Sequence, residues 1–307
     1  MQKNIYTDLA MEARELNPAL KGIEEEKEES QGLTVSRIRV TTQVAAEKLG
    51  KAMGQYITLD APELVDRPLD LFESVSKSLA KELELLLKDL ALDATVLVVG
   101  LGNRAITSDS LGPRVVEQVY VTRHVTEYLP NALSRPIRSV CAVAPGVLGV
   151  TGIETMEIVQ GVVERLHPDL ILAVDALASR RAARISTTVQ MTDTGIQPGS
   201  GVGNTRKGLN QATFGVPVLA IGVPMVVYAT TISQDTISLI ADETGLHQDE
   251  EKLRNLAEKV IEEHLGSMIV TPKDVDQIAI DMSRVLADGI NMALFGADYD
   301  EVRMLVS

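Results

Sequence analysis

Apolar residues enter this chain in short unbroken runs separated by glycine-rich loops. The clearest are Thr95-Val-Leu-Val-Val-Gly100 and Leu170-Ile-Leu-Ala-Val-Asp175, with further runs at 137–144, 184–191 and 217–222. A strand that is apolar at every position is covered on both faces. The runs therefore predict an α/β fold: a three-layer domain with a mostly parallel or mixed sheet and helices on both faces. Helical patterns fill the gaps at 112–128 and 153–165. Upstream, 34–41 and 55–59 alternate as half-buried strands do. Leu79, Leu83, Leu86 and Leu87 recur at helical spacing within 69–90, which predicts an amphipathic helix. Beyond about residue 232 the pattern turns helical, over 233–244, 250–265 and 272–294. Pro272 and Asp274 suit the start of the last of these. Residues 1 to about 35, with the run Glu24-Glu-Glu-Lys-Glu-Glu-Ser30, predict a mobile or loosely packed segment. The resulting division is an N-terminal extension (about 9–92), an α/β core (about 93–232) and a helical part (about 233–307).

Charge narrows the function classes. Lys and Arg number 29 against 43 Asp and Glu, a formal charge of −14, which argues against direct nucleic-acid binding. Aromatic residues make up 3% with no Trp, so a base-stacking surface is not expected either. No run reaches membrane-spanning length, and Met1–Asp8 lacks the apolar stretch of a secretory signal. With Cys141 as the single cysteine there is no internal disulfide, and a cytoplasmic location without membrane attachment is expected.

Two aspartates stand at or just past the ends of the strongest runs: Asp109 in the loop after 95–100, and Asp175 closing 170–175. Strand ends of an open α/β sheet face one crevice, so the two carboxylates can meet there and divide acid and base roles. An acid ending Leu-Ile-Leu-Ala-Val costs free energy unless it is paired or hydrogen-bonded. Glycine-dense loops at 100–105, 144–155 and 197–204 can bring backbone N–H groups close to a ligand. Gly100-Leu-Gly-Asn-Arg-Ala105 fits a dinucleotide fingerprint, so a nucleotide-binding α/β protein is an alternative. Against it, Thr107–Ser110 intervenes before any helix, and no strand ends in an acid about 20 residues on. His124, His167, His247 and His264 show no zinc-ligand spacing. Ser108, Ser110, Ser179 and Ser200 lack a nucleophile elbow, and Cys141 reads as an inert thiol inside a strand.

These motifs together resemble the germination protease family. The resemblance is carried by Thr7-Asp-Leu-Ala-Met-Glu-Ala13, Val98-Val-Gly-Leu-Gly-Asn103, Asp109-Ser-Leu-Gly-Pro113, Pro145-Gly-Val-Leu-Gly-Val-Thr-Gly-Ile-Glu-Thr155, Val174-Asp-Ala-Leu-Ala178, Pro198-Gly-Ser-Gly-Val-Gly-Asn204 and Val270-Thr-Pro-Lys-Asp-Val-Asp276. It runs nearly end to end, although the stretch at 245–250 is short for the family. It implies an endopeptidase of the spore core that degrades small acid-soluble, DNA-protecting spore proteins during germination. It also implies a zymogen, a homotetramer, and a fold similar to the hydrogenase-maturation peptidases. The family's proposed catalytic aspartates fall on Asp109 and Asp175. No pepsin-type signature surrounds either, so the implied type is an atypical aspartic peptidase.

The family cuts after an acidic residue followed by an apolar residue, Ala, any residue and Glu, and Asp8-Leu-Ala-Met-Glu12 has that form. Self-cleavage between Asp8 and Leu9 is implied, releasing residues 1–8 as a propeptide and leaving 9–307 as a single peptidase domain. Gly102, Asn103, Gly146, Gly149 and Gly201 are candidate substrate-binding positions in the loops. Arg104, Arg180, Arg206 and Lys207 are candidates to read the substrate's acid. No cofactor or metal is expected. The alternative of a metal-dependent maturation-type endopeptidase needs a histidine beside the two acids, and none stands at a convincing position.

Overall fold

The computed structural model describes residues 7–30, 32–129, 135–196, 208–245, 250–264 and 268–306. Among them, nine strands form one sheet: β1 (Ile23–Ser30), β2 (Leu33–Val40), β3 (Gly54–Asp60), β4 (Thr95–Gly100), β5 (Ser139–Val143), β6 (Leu170–Ser179), β7 (Thr188–Thr192), β8 (Val218–Tyr228) and β9 (Ile269–Val270). The order across the sheet is β1-β2-β3-β7-β8-β6-β4-β5, with β9 added to β8. Strands β8, β6, β4 and β5 pair in parallel, and every other pairing is antiparallel. The sheet is thus mixed: four of the unbroken apolar runs supply its parallel strands, and the one at 184–191 supplies antiparallel β7.

The helices are α1 (Ala10–Leu16), α2 (Gln43–Leu49), α3 (Leu69–Leu86), α4 (Leu111–Val116), α5 (Arg123–Tyr128), α6 (Leu148–Thr151), α7 (Thr155–Leu166), α8 (Gln211–Phe214), α9 (Ala229–Thr244), α10 (Glu250–His264), α11 (Val275–Phe295) and α12 (Tyr299–Val306). Side chains alternate across a strand, and that period sorts the central apolar runs into two cores. Val96, Val98, Leu170, Leu172 and Val174 face α3, α4 and α11. Leu97, Val99, Ile171 and Ala173 face α7 on the other side. A third cluster joins α1 and α2 to Ile38, Val40, Tyr56 and Leu177. Helices on both faces complete the three-layer α/β arrangement.

Four expectations change. The N-terminal segment is packed from residue 9 onward: Leu9 and Ala10 are fully buried beneath α2 and β3. The acidic run is the sheet's edge strand β1, wet on both sides, so it carries no apolar alternation to reveal it. The 112–128 pattern divides into α4 and α5, and Thr122 between them ties the chain to β5 and the residue before it: its hydroxyl accepts from Val140 N (2.9 Å) and donates to Arg138 O (2.6 Å). The 184–191 run opens in a short helical turn, Ala182–Arg184, and its strand starts only at Thr188.

Candidate active site

Strand β6 does not end at Asp175 but continues to Ser179, with Asp175 opposite Gly222 of β8. Its Oδ1 accepts from the N–H of Ala176 (2.8 Å). Asp109 closes a helical turn, Thr107–Asp109, that leads into α4. Its Oδ2 accepts from Asn103 N (2.8 Å). The turn between β4 and Asp109 needs glycine: Gly102 has φ +110°, and a Cβ there would lie 2.1 Å from the Asp109 carbonyl oxygen. Gly112 lets α4 press on the sheet, where a Cβ would meet Leu101 N and Val174 O at 2.5 Å. The two aspartates, 66 positions apart, thereby line one cavity of about 340 Å³ with Asp8, Lys51, Tyr56 and Gln190.

Burial pushes the Asp175 carboxyl well above the usual aspartate range, and the charges of Asp109 and then Asp8 push it further. Asp109 is also raised by burial, against the N–H of Asn103 that favours its ionised form. Both carboxyls are thus pushed toward their protonated forms, Asp175 the more strongly.

The chain's own residues 8–12 run through this cavity and the groove beside it. Asp8 lies along β6: its N–H donates to Ala178 O (2.9 Å) and its Oδ2 accepts from Ala178 N (2.7 Å). The Asp8 carbonyl oxygen accepts from Lys51 Nζ and from Gln190 Nε2, both at 2.9 Å. Gln190 Oε1 in turn accepts from Ala10 N (2.6 Å), so one amide side chain spans both sides of the Asp8–Leu9 bond. Glu12 is fully buried, accepting from Arg180 N (2.6 Å) and Arg181 N (2.9 Å) and pairing with Arg184 Nη1 (3.0 Å). Lys51 follows the left-handed Gly50 that caps α2. Burial lowers its pKa, while Asp8 and Glu12 act to keep it protonated.

The other residues proposed from sequence are dispersed. Gly102 and Asn103 hold Asp109, as above. Gly146 lies in the loop after β5 and Gly149 within α6, and neither lines the cavity; Gly146 O accepts from the Thr155 hydroxyl. Arg104 pairs with Glu117 on the surface (2.7 Å). The Arg180 guanidinium is taken by Asp235 (2.7 Å), and only its backbone reaches the groove. The Asp8 carboxylate accepts from the N–H of Ala178. Gly201, Arg206 and Lys207 lie outside the described residues. Lys51, Gln190 and the Ala178 N–H were not foreseen; the one available signal was a glutamine inside an apolar strand. Among the described residues, no three of His, Cys, Asp and Glu converge as a metal site requires. No helix among them is long and apolar enough to cross a membrane.

A sequence profile of the germination protease family matches residues 2–252. The germination protease of Caldanaerobacter subterraneus subsp. tengcongensis is 45% identical over 305 residues, covering 94% of each chain. That of Clostridium tetani is 45% identical over 309 residues, 95% of each. That of Priestia megaterium is 36% identical over 350 aligned positions, covering 95% of this chain and 94% of its own. With the acid-lined cavity and the peptide seated in it, these similarities establish that the chain belongs to the germination protease family and is a spore endopeptidase.

Proposed function

We propose that this endopeptidase is made as a zymogen that cuts its own Asp8–Leu9 bond, and that it then cuts corresponding bonds in small acid-soluble spore proteins. The observation that carries the reading is the seating of Asp8 in the cavity that Asp109 and Asp175 line, with the carbonyl of the bond to be cut already held at 2.9 Å by two donors. Asp109, the less shifted acid, takes a proton from the attacking water as its oxygen bonds to the Asp8 carbonyl carbon. Asp175, whose burial keeps its proton, delivers that proton to the Leu9 nitrogen as the C–N bond breaks. The products are a peptide ending in the Asp8 carboxylate and a chain beginning at the Leu9 amine. The substrate's acid is read by the Ala178 N–H, and a glutamate four residues beyond the cut by the site that Glu12 fills. Residues 9–307 act as one peptidase unit, assembled as a homotetramer in the spore core.

Intact mass of the full-length protein over time tests this reading. Conversion to 9–307 is expected with a first-order rate constant unchanged across a hundredfold range of protein concentration, because the segment sits in its own chain's cavity. Asp109→Asn and Asp175→Asn should each slow it by roughly 10²–10⁴, the contribution of positioned acid–base groups. Near-normal processing in either variant, or a product with a different N-terminus, would overturn the assignment.

A further inference from the structure

A peptide carbonyl in a buried groove needs only one hydrogen bond to be satisfied, yet the Asp8 carbonyl oxygen accepts two, from donors on opposite sides of the sequence. One is a cation, Lys51 Nζ, supplied by the turn after α2; the other is the neutral Gln190 amide on β7. We infer that Lys51 and Gln190 are catalytic residues that polarise the scissile carbonyl and stabilise the negative charge its oxygen acquires when water adds. The inference rests on the Asp8–Leu9 bond being the one cut.

Three features separate this pair from ordinary packing. Both donors already hydrogen-bond the carbonyl oxygen at 2.9 Å, so they stand beside the atom on which the charge develops. Gln190 cannot swing away without also releasing Ala10 N, so the two sides of the bond are fixed in register before any bond changes. Lys51 is embedded with two acids acting on it, Asp8 and Glu12, both from the docked segment. In a second substrate the same two acids arrive with the peptide, so cleavage after an acid supplies the charge that keeps the ammonium protonated. Asp109, Asp175 and Tyr56 line the same cavity, but the two carboxyls are assigned to proton transfer and the Tyr56 hydroxyl donates to Ala52 O (3.0 Å). Addition of water places a full charge on the Asp8 oxygen; the pair takes up that charge and transfers no proton, so the proton balance through Asp109 and Asp175 is unaltered.

A lysine that only held the segment would cost docking and rate equally, and two measurements separate the roles. The first is the rate at which full-length protein loses residues 1–8, followed by intact mass. The second is hydrogen-exchange protection of the amides of residues 10–16, taken in an Asp175→Asn background where the bond stays whole. Lys51→Met and Gln190→Leu should each slow cleavage by roughly 10²–10³, the loss typical of removing one oxyanion donor. Protection should fall less than tenfold, because the buried Leu9, Ala10 and Glu12 still anchor the segment. Lys51→Arg, which keeps a cation, should recover a tenth or more of the wild-type rate. Cleavage of Lys51→Met within threefold of wild type, a loss of protection matching the loss of rate, or no recovery in Lys51→Arg would each overturn the inference while leaving the cleavage site standing. Wild-type protein that yields no 9–307 product would overturn both.

Discussion

Glu12→Ala measures what holds the processing segment in its groove. The Glu12 carboxylate is fully buried and meets two backbone donors, Arg180 N and Arg181 N, and the Arg184 guanidinium. Its removal leaves two N–H groups to find water at about 1–3 kcal/mol each, less what solvent recovers at the half-open Arg180 end. Arg184 is not stranded, since Glu15 Oε1 remains 2.5 Å from its Nη2. The full penalty for an orphaned buried charge, about 3–5 kcal/mol, is therefore met only at its lower end. A loss near 3 kcal/mol corresponds to about a hundredfold in the ratio of docked to undocked segment, at 1.4 kcal/mol per decade.

The assay is hydrogen exchange of residues 10–16 in an Asp175→Asn background, so that the chain remains uncut. Glu12→Ala should lower protection there about a hundredfold while β4 and β6 keep theirs. Glu12→Gln, which retains an acceptor but not the charge, should fall between the two. Protection within threefold of the parent would refute the view that this buried acid anchors the segment. A fall shared by the central strands would refute its local character.

Asp175→Asn, slowed in self-cleavage as above, should nevertheless melt at a higher temperature than wild type at pH 7. An acid whose folded pKa is raised binds its proton more tightly when folded, so ionising it costs stability once pH rises through that folded value. Below the unfolded pKa both states are protonated, and the advantage of Asn should vanish there; a melting difference that persists at low pH would contradict the burial argument. Gly102→Ala should lower both melting temperature and self-cleavage, since a Cβ at φ +110° would meet the Asp109 carbonyl at 2.1 Å. Such strain costs on the order of 1–3 kcal/mol. Unchanged processing in a folded Gly102→Ala protein would show that the turn does not aim Asp109.

What could be read from the sequence was whatever depended on a strand's own pattern. The unbroken runs at 95–100 and 170–175 revealed central strands because both of their faces are covered, and the acid near the end of each followed. The form of Asp8–Glu12 was equally visible, since it is a local string. Strand β1 was hidden because an edge strand wet on both sides has no apolar face to betray it.

The larger omission concerns order across the sheet. No local pattern announces the pairing of β3 with β7 and of β7 with β8, which makes the N-terminal and central strands one sheet. That join sets Lys51, just before β3, and Gln190, within β7, on either side of a peptide that runs beside β6. Neither residue is marked by its neighbours. Gln190 is only 6% exposed, and an amide so placed must find partners for its N–H and its carbonyl or cost free energy. It finds them on Asp8 O and Ala10 N, on either side of Leu9. A polar side chain inside a strand, satisfied at both ends by another segment's backbone, is the physical mark of a groove built to hold a peptide. Here that groove opens onto the cavity where the two aspartates stand.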